Sequence, residues 1–273
     1  MSVPPVETIA DALRPLTADP SSAAVFCDID GTLAPIVERA EDAAVPESTS
    51  RLLSRIARRY ACTACISGRS AAEARRIVGV GGIAYAGSHG AELLMPGQPA
   101  AELAPLFATW RDRVHDFVYS KETPELRMMR VRIEDKGPIV AFHWRSAPDE
   151  AAALTALEGI AAQAESQGLF VHWGRKVLEI RPPVEVHKGQ AVRELIRRHP
   201  AVRSALFAGD DATDLDVFDV LASLVGDGRL ETAVCVGIHS DEGPAAIVDR
   251  ADLVVEGTAG FVQVLEQLAD PAS

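Results

Sequence analysis

Residues 25–36 read VFCDIDGTLAPI, an unbroken apolar run that ends in two carboxylates, Asp28 and Asp30, followed by Gly31 and Thr32. Apolarity without alternation over 23–28 predicts a strand covered on both faces, as in a parallel sheet. Both carboxylates then emerge at the carboxyl edge of that sheet, where ligands of open α/β folds bind. Two acids placed together there repel each other. The cost is tolerable if a divalent cation sits between them, and Mg²⁺ is the hard, oxygen-seeking ion usually recruited to phosphate chemistry. The competing reading, a surface turn built on Asp-Gly, gives no reason for the strictly apolar strand before it.

Outward from this stretch, similar apolar runs at 61–67, 83–87, 204–209, 233–238 and 252–256 predict further buried strands. Helical segments separate them. Ser70 and Glu73 form a capping-box pattern with Gly79 as the stop, and 188–199 is closed by Pro200. After a short helical N-terminal segment, this alternation predicts an α/β fold with a doubly wound, mostly parallel sheet. The middle reads differently. Over 127–145, Met129, Val131 and Ile133 alternate with charged residues, a turn at 135–138 follows, and Val140, Phe142 and Trp144 alternate in turn. This predicts an antiparallel hairpin, in a register that sets Glu134 facing Arg145. An Ala-rich helix at 148–167 and a second strand pair turning at Gly174 complete a ββαββ block. The expectation is a smaller α+β domain at 108–183, inserted into a core made of 1–107 and 184–273. No internal sequence repeat is visible.

The 273 residues carry 27 Lys and Arg against 39 Asp and Glu, a formal net charge of −12, with 48% hydrophobic residues. That composition excludes disorder as the dominant state. The acidic balance argues against nucleic acid or an anionic membrane as a partner, while a single small phosphate needs only a local positive spot or a metal ion. No apolar run reaches the length of a membrane span or a signal peptide, so the expected compartment is the cytoplasm. The cysteines at 27, 62, 65 and 235 lie in strand-like runs and read as small core residues. Cys62 and Cys65 have the C-x-x-C spacing but sit in a strand rather than at a helix start.

Three more segments end strand candidates in polar residues. Ser67 and Gly68 offer a hydroxyl and backbone amides ahead of a helix, Lys188-Gly189 opens a helix with an ammonium group, and GDDATD places Asp210, Asp211 and Asp214 after a strand. Each has an ordinary explanation by itself, since Ser70 is the better N-cap, a lone lysine is usually solvated, and an acidic loop is often only a loop. In order, D-x-D-G-T, Ser-Gly, Lys-Gly and G-D-D-x-x-D resemble the haloacid dehalogenase superfamily of aspartate-nucleophile phosphotransferases, in which a cap domain is inserted between the second and third motifs. The resemblance implies that Asp28 is the nucleophile and Asp30 the acid and then the base. It implies that Thr32, Ser67, Gly68 and Lys188 hold phosphoryl oxygens, and that Mg²⁺ is bound by Asp28, the carbonyl of Asp30 and Asp210, with Asp211 and Asp214 in support.

YAGSHGAEL at 85–93, IEDKGPIVAFHWR at 133–145 and GRKVLEIRP at 174–182 are further similar to the distinguishing segments of trehalose-6-phosphate phosphatases, over a stretch from about residue 26 to 218. This implies a sugar-phosphate substrate, here trehalose 6-phosphate, whose hydroxyls are gripped by Glu134, Lys136, Arg145, Arg175 and Glu179, and a cap that closes during the cycle. His187 departs from the Asp or Asn frequent before this lysine. The first twenty residues match nothing recognised and leave no room for a fused synthase domain, so a stand-alone enzyme is expected, for which a monomer suffices. The alternatives are another sugar-phosphate phosphatase of the superfamily, acting for example on a glycosyl-glycerate phosphate, and a catalytically silent sugar-phosphate sensor. The glycines at 79, 81 and 82 precede a strand, the wrong context for a dinucleotide loop. Gly87-Ser88-His89-Gly90 lacks nucleophile-elbow spacing, and the three tryptophans read as packing residues.

Overall fold

A computed structural model of the chain describes residues 6–37, 42–135, 138–174, 176–184, 187–240 and 243–271. In chain order the elements are α1 (Val6–Thr17), β1 (Ala23–Cys27), α2 (Glu47–Arg59), β2 (Cys62–Ile66), α3 (Ala71–Val78), β3 (Ala84–Gly87), β4 (Glu92–Leu94), β5 (Glu102–Leu103), α4 (Pro105–Ser120) and α5 (Pro124–Met128). They continue as β6 (Arg132–Asp135), β7 (Val140–His143), α6 (Glu150–Ser166), β8 (Phe170–Gly174), β9 (Val177–Arg181) and α7 (Lys188–Arg198). The last are β10 (Ser204–Gly209), α8 (Leu215–Gly226), β11 (Thr232–His239), α9 (Ala245–Arg250), β12 (Leu253–Glu256) and α10 (Gly257–Ala269). The chain divides into two compact units, one of Met1–Glu102 with Val186–Ser273 and one of Leu103–Glu185.

The larger unit is built on an eight-stranded sheet of order β12-β11-β10-β1-β2-β3-β4-β5, parallel from β12 to β3. Every residue of β1 is buried, and its neighbours alternate between two cores. Val25 and Cys27 pack with α1, α2 and α10 on one face, whereas Ala24 and Phe26 pack with α7 and α8 on the other. A strand with no solvent face has no use for alternation, which is why the run is continuous. The doubly wound sheet expected from the sequence is therefore present. Its order reverses at β1, which pairs with β2 on one side and β10 on the other, so the carboxyl end of β1 lies at the switch point.

The smaller unit holds an antiparallel sheet of order β6-β7-β9-β8. Two successive αββ passes build it, because α4 precedes the first hairpin as α6 precedes the second. Val114, Phe117 and Val118 of α4 pack with Phe142, Leu157, Leu178 and Ile180 in its core. Their spacing is helical, a signal the ββαββ reading passed over. Two further expectations are corrected. The hairpin stretch expected from 127 begins instead with the end of a helix over 124–128, and β6 starts only at Arg132, since Thr123 Oγ1 accepts from the Leu126 amide at 3.3 Å and Pro124 occupies the first turn. The expected register also fails. Glu134 pairs with Ala141, and β7 ends at His143, so Arg145 lies beyond the ladder and does not face Glu134. Among the described residues, no helix is long and apolar enough to cross a membrane.

Candidate active site

At the end of β1 the Asp28 amide donates to the Ala208 carbonyl at 2.9 Å, which carries the parallel ladder one residue past the strand. The chain then turns tightly: the Gly31 amide donates to Ala34 O at 2.8 Å, and the Leu33 and Ala34 amides donate to Ile29 O at 2.9 and 2.8 Å. Gly31 has φ +86°, and a Cβ there would stand 2.0 Å from Asp210 Oδ2, so only glycine lets this loop lie against the carboxylate at the end of β10. Thr32 Oγ1 completes the contact by donating to Asp210 Oδ1 at 3.0 Å.

Lys188, the first residue of α7, donates from Nζ to Asp28 Oδ1 at 2.9 Å and to Asp214 Oδ1 at 2.7 Å. Asp214 Oδ2 accepts from the amides of Asp210 and Asp211, both at 3.0 Å. Asp214 thus takes three donors and shapes the loop, whereas among the described residues Asp210 Oδ2 accepts no hydrogen bond. Asp211 caps the turn at 212–214, accepting from the Ala212 amide at 2.7 Å. Asp28, Thr32, Lys188, Asp210 and Asp214 are all buried.

One ammonium among three buried carboxylates leaves the cluster negative. Burial, reinforced by the neighbouring Asp214 charge, pushes the Asp28 carboxyl up to about 8, although Lys188 pulls it the other way. Burial likewise raises Asp210 to about 6 against the Thr32 hydrogen bond. Burial opposes the charge on Lys188, yet the two carboxylates outweigh it and raise its pKa. Carboxylate oxygens of Asp28, Asp210 and Asp214 lie within 4.8 Å of one another. An oxygen-only donor set, buried and short of positive charge, fits a hard divalent cation.

The remaining predicted groups of the larger unit gather around the same place. Ser67 and Gly68, at the end of β2, line a cavity of about 390 Å³ together with Asp28, Asp30, Lys188 and Asp210. Ser67 Oγ accepts from the Arg69 amide at 3.2 Å. Asp30 is set apart from the buried cluster. It receives a two-pronged contact from Arg69, Nε to Oδ2 and Nη2 to Oδ1, both 2.7 Å, and Arg69 Nη1 also reaches Glu73 Oε1 at 2.7 Å. Glu73 consequently binds this arginine, while its own amide takes the Ser70 cap at 3.3 Å. Arg69, His89 and Ser240, to which the sequence assigned no role, also border this place, the last two as lining of the cavity. A guanidinium one residue past Ser67-Gly68 was the available signal for the first, and the family-like segment at 85–93 for His89; Ser240 had none beyond its place at a strand end.

On the sheet of the smaller unit, Glu134, Ala141, Glu179 and His172 form one cross-strand row. Glu134 Oε2 lies 2.6 Å from His143 Nε2, and Glu179 Oε2 accepts from Arg181 Nε at 3.1 Å and Nη2 at 2.5 Å. Arg145 is exposed beyond β7, and Lys136 and Arg175 lie outside the described residues.

A family model for trehalose-phosphatase matches residues 26–245. The chain belongs to the trehalose-phosphatase family. Among its relatives, the trehalose-phosphate phosphatase of Mycobacterium avium is 32% identical over 257 residues, covering 90% of this chain and 62% of that protein. That of Mycobacterium marinum is 34% identical over 261 residues, covering 92% of this chain and 62% of that protein. The chain thus spans about 62% of the length of these curated relatives. Trehalose-6-phosphate phosphatase of Aspergillus fumigatus shares the fold over the whole of both chains, with a TM-score of 0.64 at 20% identity. A haloacid dehalogenase-like hydrolase from Bacteroides thetaiotaomicron shares it over 91% of this chain and 100% of that one, with a TM-score of 0.59 at 13% identity. The trehalose-phosphatase match includes Asp28, Ser67, Lys188 and Asp210 as well as the whole of the smaller unit.

Proposed function

We propose that the chain hydrolyses trehalose 6-phosphate to trehalose and phosphate through a phosphoryl group carried on Asp28. The observation that supports this most is the separation of two carboxylates two residues apart: Asp28 bound to Lys188 inside the cluster, and Asp30 turned to Arg69. One is placed to attack and the other to exchange a proton. Asp28 forms a bond to phosphorus as the ester P–O bond breaks, and the sugar oxygen takes a proton from Asp30. Water then attacks the phosphorus and gives its proton to Asp30, which releases phosphate and restores Asp28. Asp30 must leave Arg69 to carry a proton, and the substrate's phosphate is the natural competitor for that guanidinium. Lys188, Thr32, Ser67 and the Gly68 amide bind the phosphoryl oxygens.

Mg²⁺ is the proposed cofactor, held by Asp28, Asp210 and the Asp30 carbonyl, with Asp211 and Asp214 shaping the loop; it would supply positive charge against the phosphoryl oxygens. Glu134, Arg145 and Glu179, with Lys136 and Arg175, are proposed to bind sugar hydroxyls. The four cysteines are buried free thiols, which supports the cytoplasm as the compartment.

The test is Mg²⁺-dependent phosphate release from trehalose 6-phosphate beside glucose 6-phosphate, sucrose 6-phosphate and a glycosyl-glycerate phosphate. Preference for trehalose 6-phosphate, abolished in Asp28→Asn, is expected. Preference for another ester would overturn the substrate and the sugar-binding assignments, and no turnover of any would favour a silent sensor.

A further inference from the structure

Between β3 and β4 the chain reverses through Ser88, His89 and Gly90, with φ of 50°, 57° and 107°. A reversal that needs positive φ at successive residues is ordinarily made with Asn and Gly. Serine and histidine are strained there, and such backbone persists only where its surroundings hold it. Here they do. The Ser88 amide donates to the Arg69 carbonyl at 2.7 Å, and the His89 amide donates to the Ser67 carbonyl at 3.0 Å. Glu92, the first residue of β4, adds a two-armed side-chain clamp. Its Oε1 accepts from Ser88 Oγ at 3.0 Å, and its Oε2 accepts from the Ala71 amide at the start of α3, also at 3.0 Å. The reversal is thereby bound to the Ser67-Gly68-Arg69 loop at both backbone and side-chain level.

What the strained reversal delivers is the His89 ring. It lies directly on Gly68, where an added Cβ would stand 2.8 Å from Cε1 and 2.9 Å from Nε2. His89 lines the same cavity as Asp28 and Ser67. The fold thus sets an imidazole against Gly68 at the wall of the cavity, where phosphoryl or ester oxygens would lie.

We propose that His89 binds an oxygen of the phosphate monoester, and that Glu92 is a positioning residue that holds the Ser88-His89 reversal so that the ring stays on Gly68. This rests on the reading that the cavity takes a phosphate ester.

The experiment measures inorganic phosphate binding by calorimetry in Mg²⁺, alongside trehalose 6-phosphate kinetics, for His89→Ala, Glu92→Ala, Glu92→Gln and the double variant His89→Ala/Glu92→Ala. Loss of one hydrogen bond to a charged oxygen is expected to weaken phosphate binding about 10-fold in His89→Ala. Glu92→Ala should approach that loss. Glu92→Gln should recover most of it, because its amide oxygen still accepts from Ala71 and its NH₂ can donate to Ser88 Oγ. The double variant should bind no more weakly than His89→Ala, since Glu92 acts through the ring. Wild-type affinity in His89→Ala, or losses that multiply in the double variant, would overturn the proposal. His89→Ala and Glu92→Gln leave the core intact, so the outcome does not depend on whether Glu92→Ala folds. Phosphate binding that needs His89, without turnover of trehalose 6-phosphate, would remove the substrate reading and keep this one; turnover indifferent to His89 would do the reverse.

Discussion

Both units set carboxylates beside basic side chains, but in different surroundings. In the larger unit Lys188 lies between Asp28 and Asp214, with side chains 4%, 6% and 0% exposed. In the smaller unit Glu134 lies against His143 and Glu179 against Arg181, with side chains 37%, 27%, 13% and 39% exposed in that order. Charge pairs in water are worth about 0–1 kcal/mol, whereas removing one partner of a buried pair costs about 3–5 kcal/mol. The buried set of the larger unit is therefore the costlier to break, and the partly exposed pairs of the smaller unit the cheaper.

The largest break in this comparison is expected at Asp28. Asp28→Asn keeps the shape and removes the proposed nucleophile, and turnover should fall by about 10⁴-fold or more, read in a phosphate-release assay. Next comes the lysine. In metal-free buffer Lys188→Ala should destabilise by about 3–5 kcal/mol in urea unfolding, because two buried carboxylates lose their cation. Arg181→Ala, its exposed counterpart, should cost less than about 1 kcal/mol. Equal losses at the two positions would erase the distinction between the units.

Metal and pH give a smaller, reversible effect. A carboxyl group whose pKa is higher in the folded than in the unfolded state takes up protons on folding, so its contribution to stability falls as pH rises. Without metal, stability should decline from the ordinary value of 3.8 upward, through about 6 for Asp210 and about 8 for Asp28. Mg²⁺ at 100 times its dissociation constant should restore about 2.7 kcal/mol, seen as a rise in Tm that Asp210→Asn abolishes. The smallest effect sharpens the comparison most. Glu179→Gln should raise KM for trehalose 6-phosphate about 10-fold, leave Tm in place and leave a small aryl phosphate untouched. A parallel loss on both esters would mean that this face does not select the sugar.

The strand ends were legible because they depend on local pattern. Buried parallel strands need unbroken apolar runs, so Asp28, Ser67 and Asp210 could be placed at one sheet edge from sequence alone. The smaller unit was legible in type but not in register. The helix begun at Thr123 and Pro124 ran on to Met128, so the strand suggested by alternation from 127 started only at Arg132, and β7 stopped two residues short of Arg145. Alternation names a face; pairing partners come from turn geometry and neighbouring strands.

By itself, then, the sequence determined the architecture, the family and the edge at which the acids and the lysine meet, because apolar period and helix caps act over a few residues. Only the tertiary structure decided what each group holds. Lys188 reaches an aspartate 160 positions away, Arg69 turns Asp30 aside across 39, and Glu92 clamps a helix start 21 residues earlier. Those choices follow from strand order and from which polar atoms burial leaves in need of a partner, and neither is a property of any short stretch of chain.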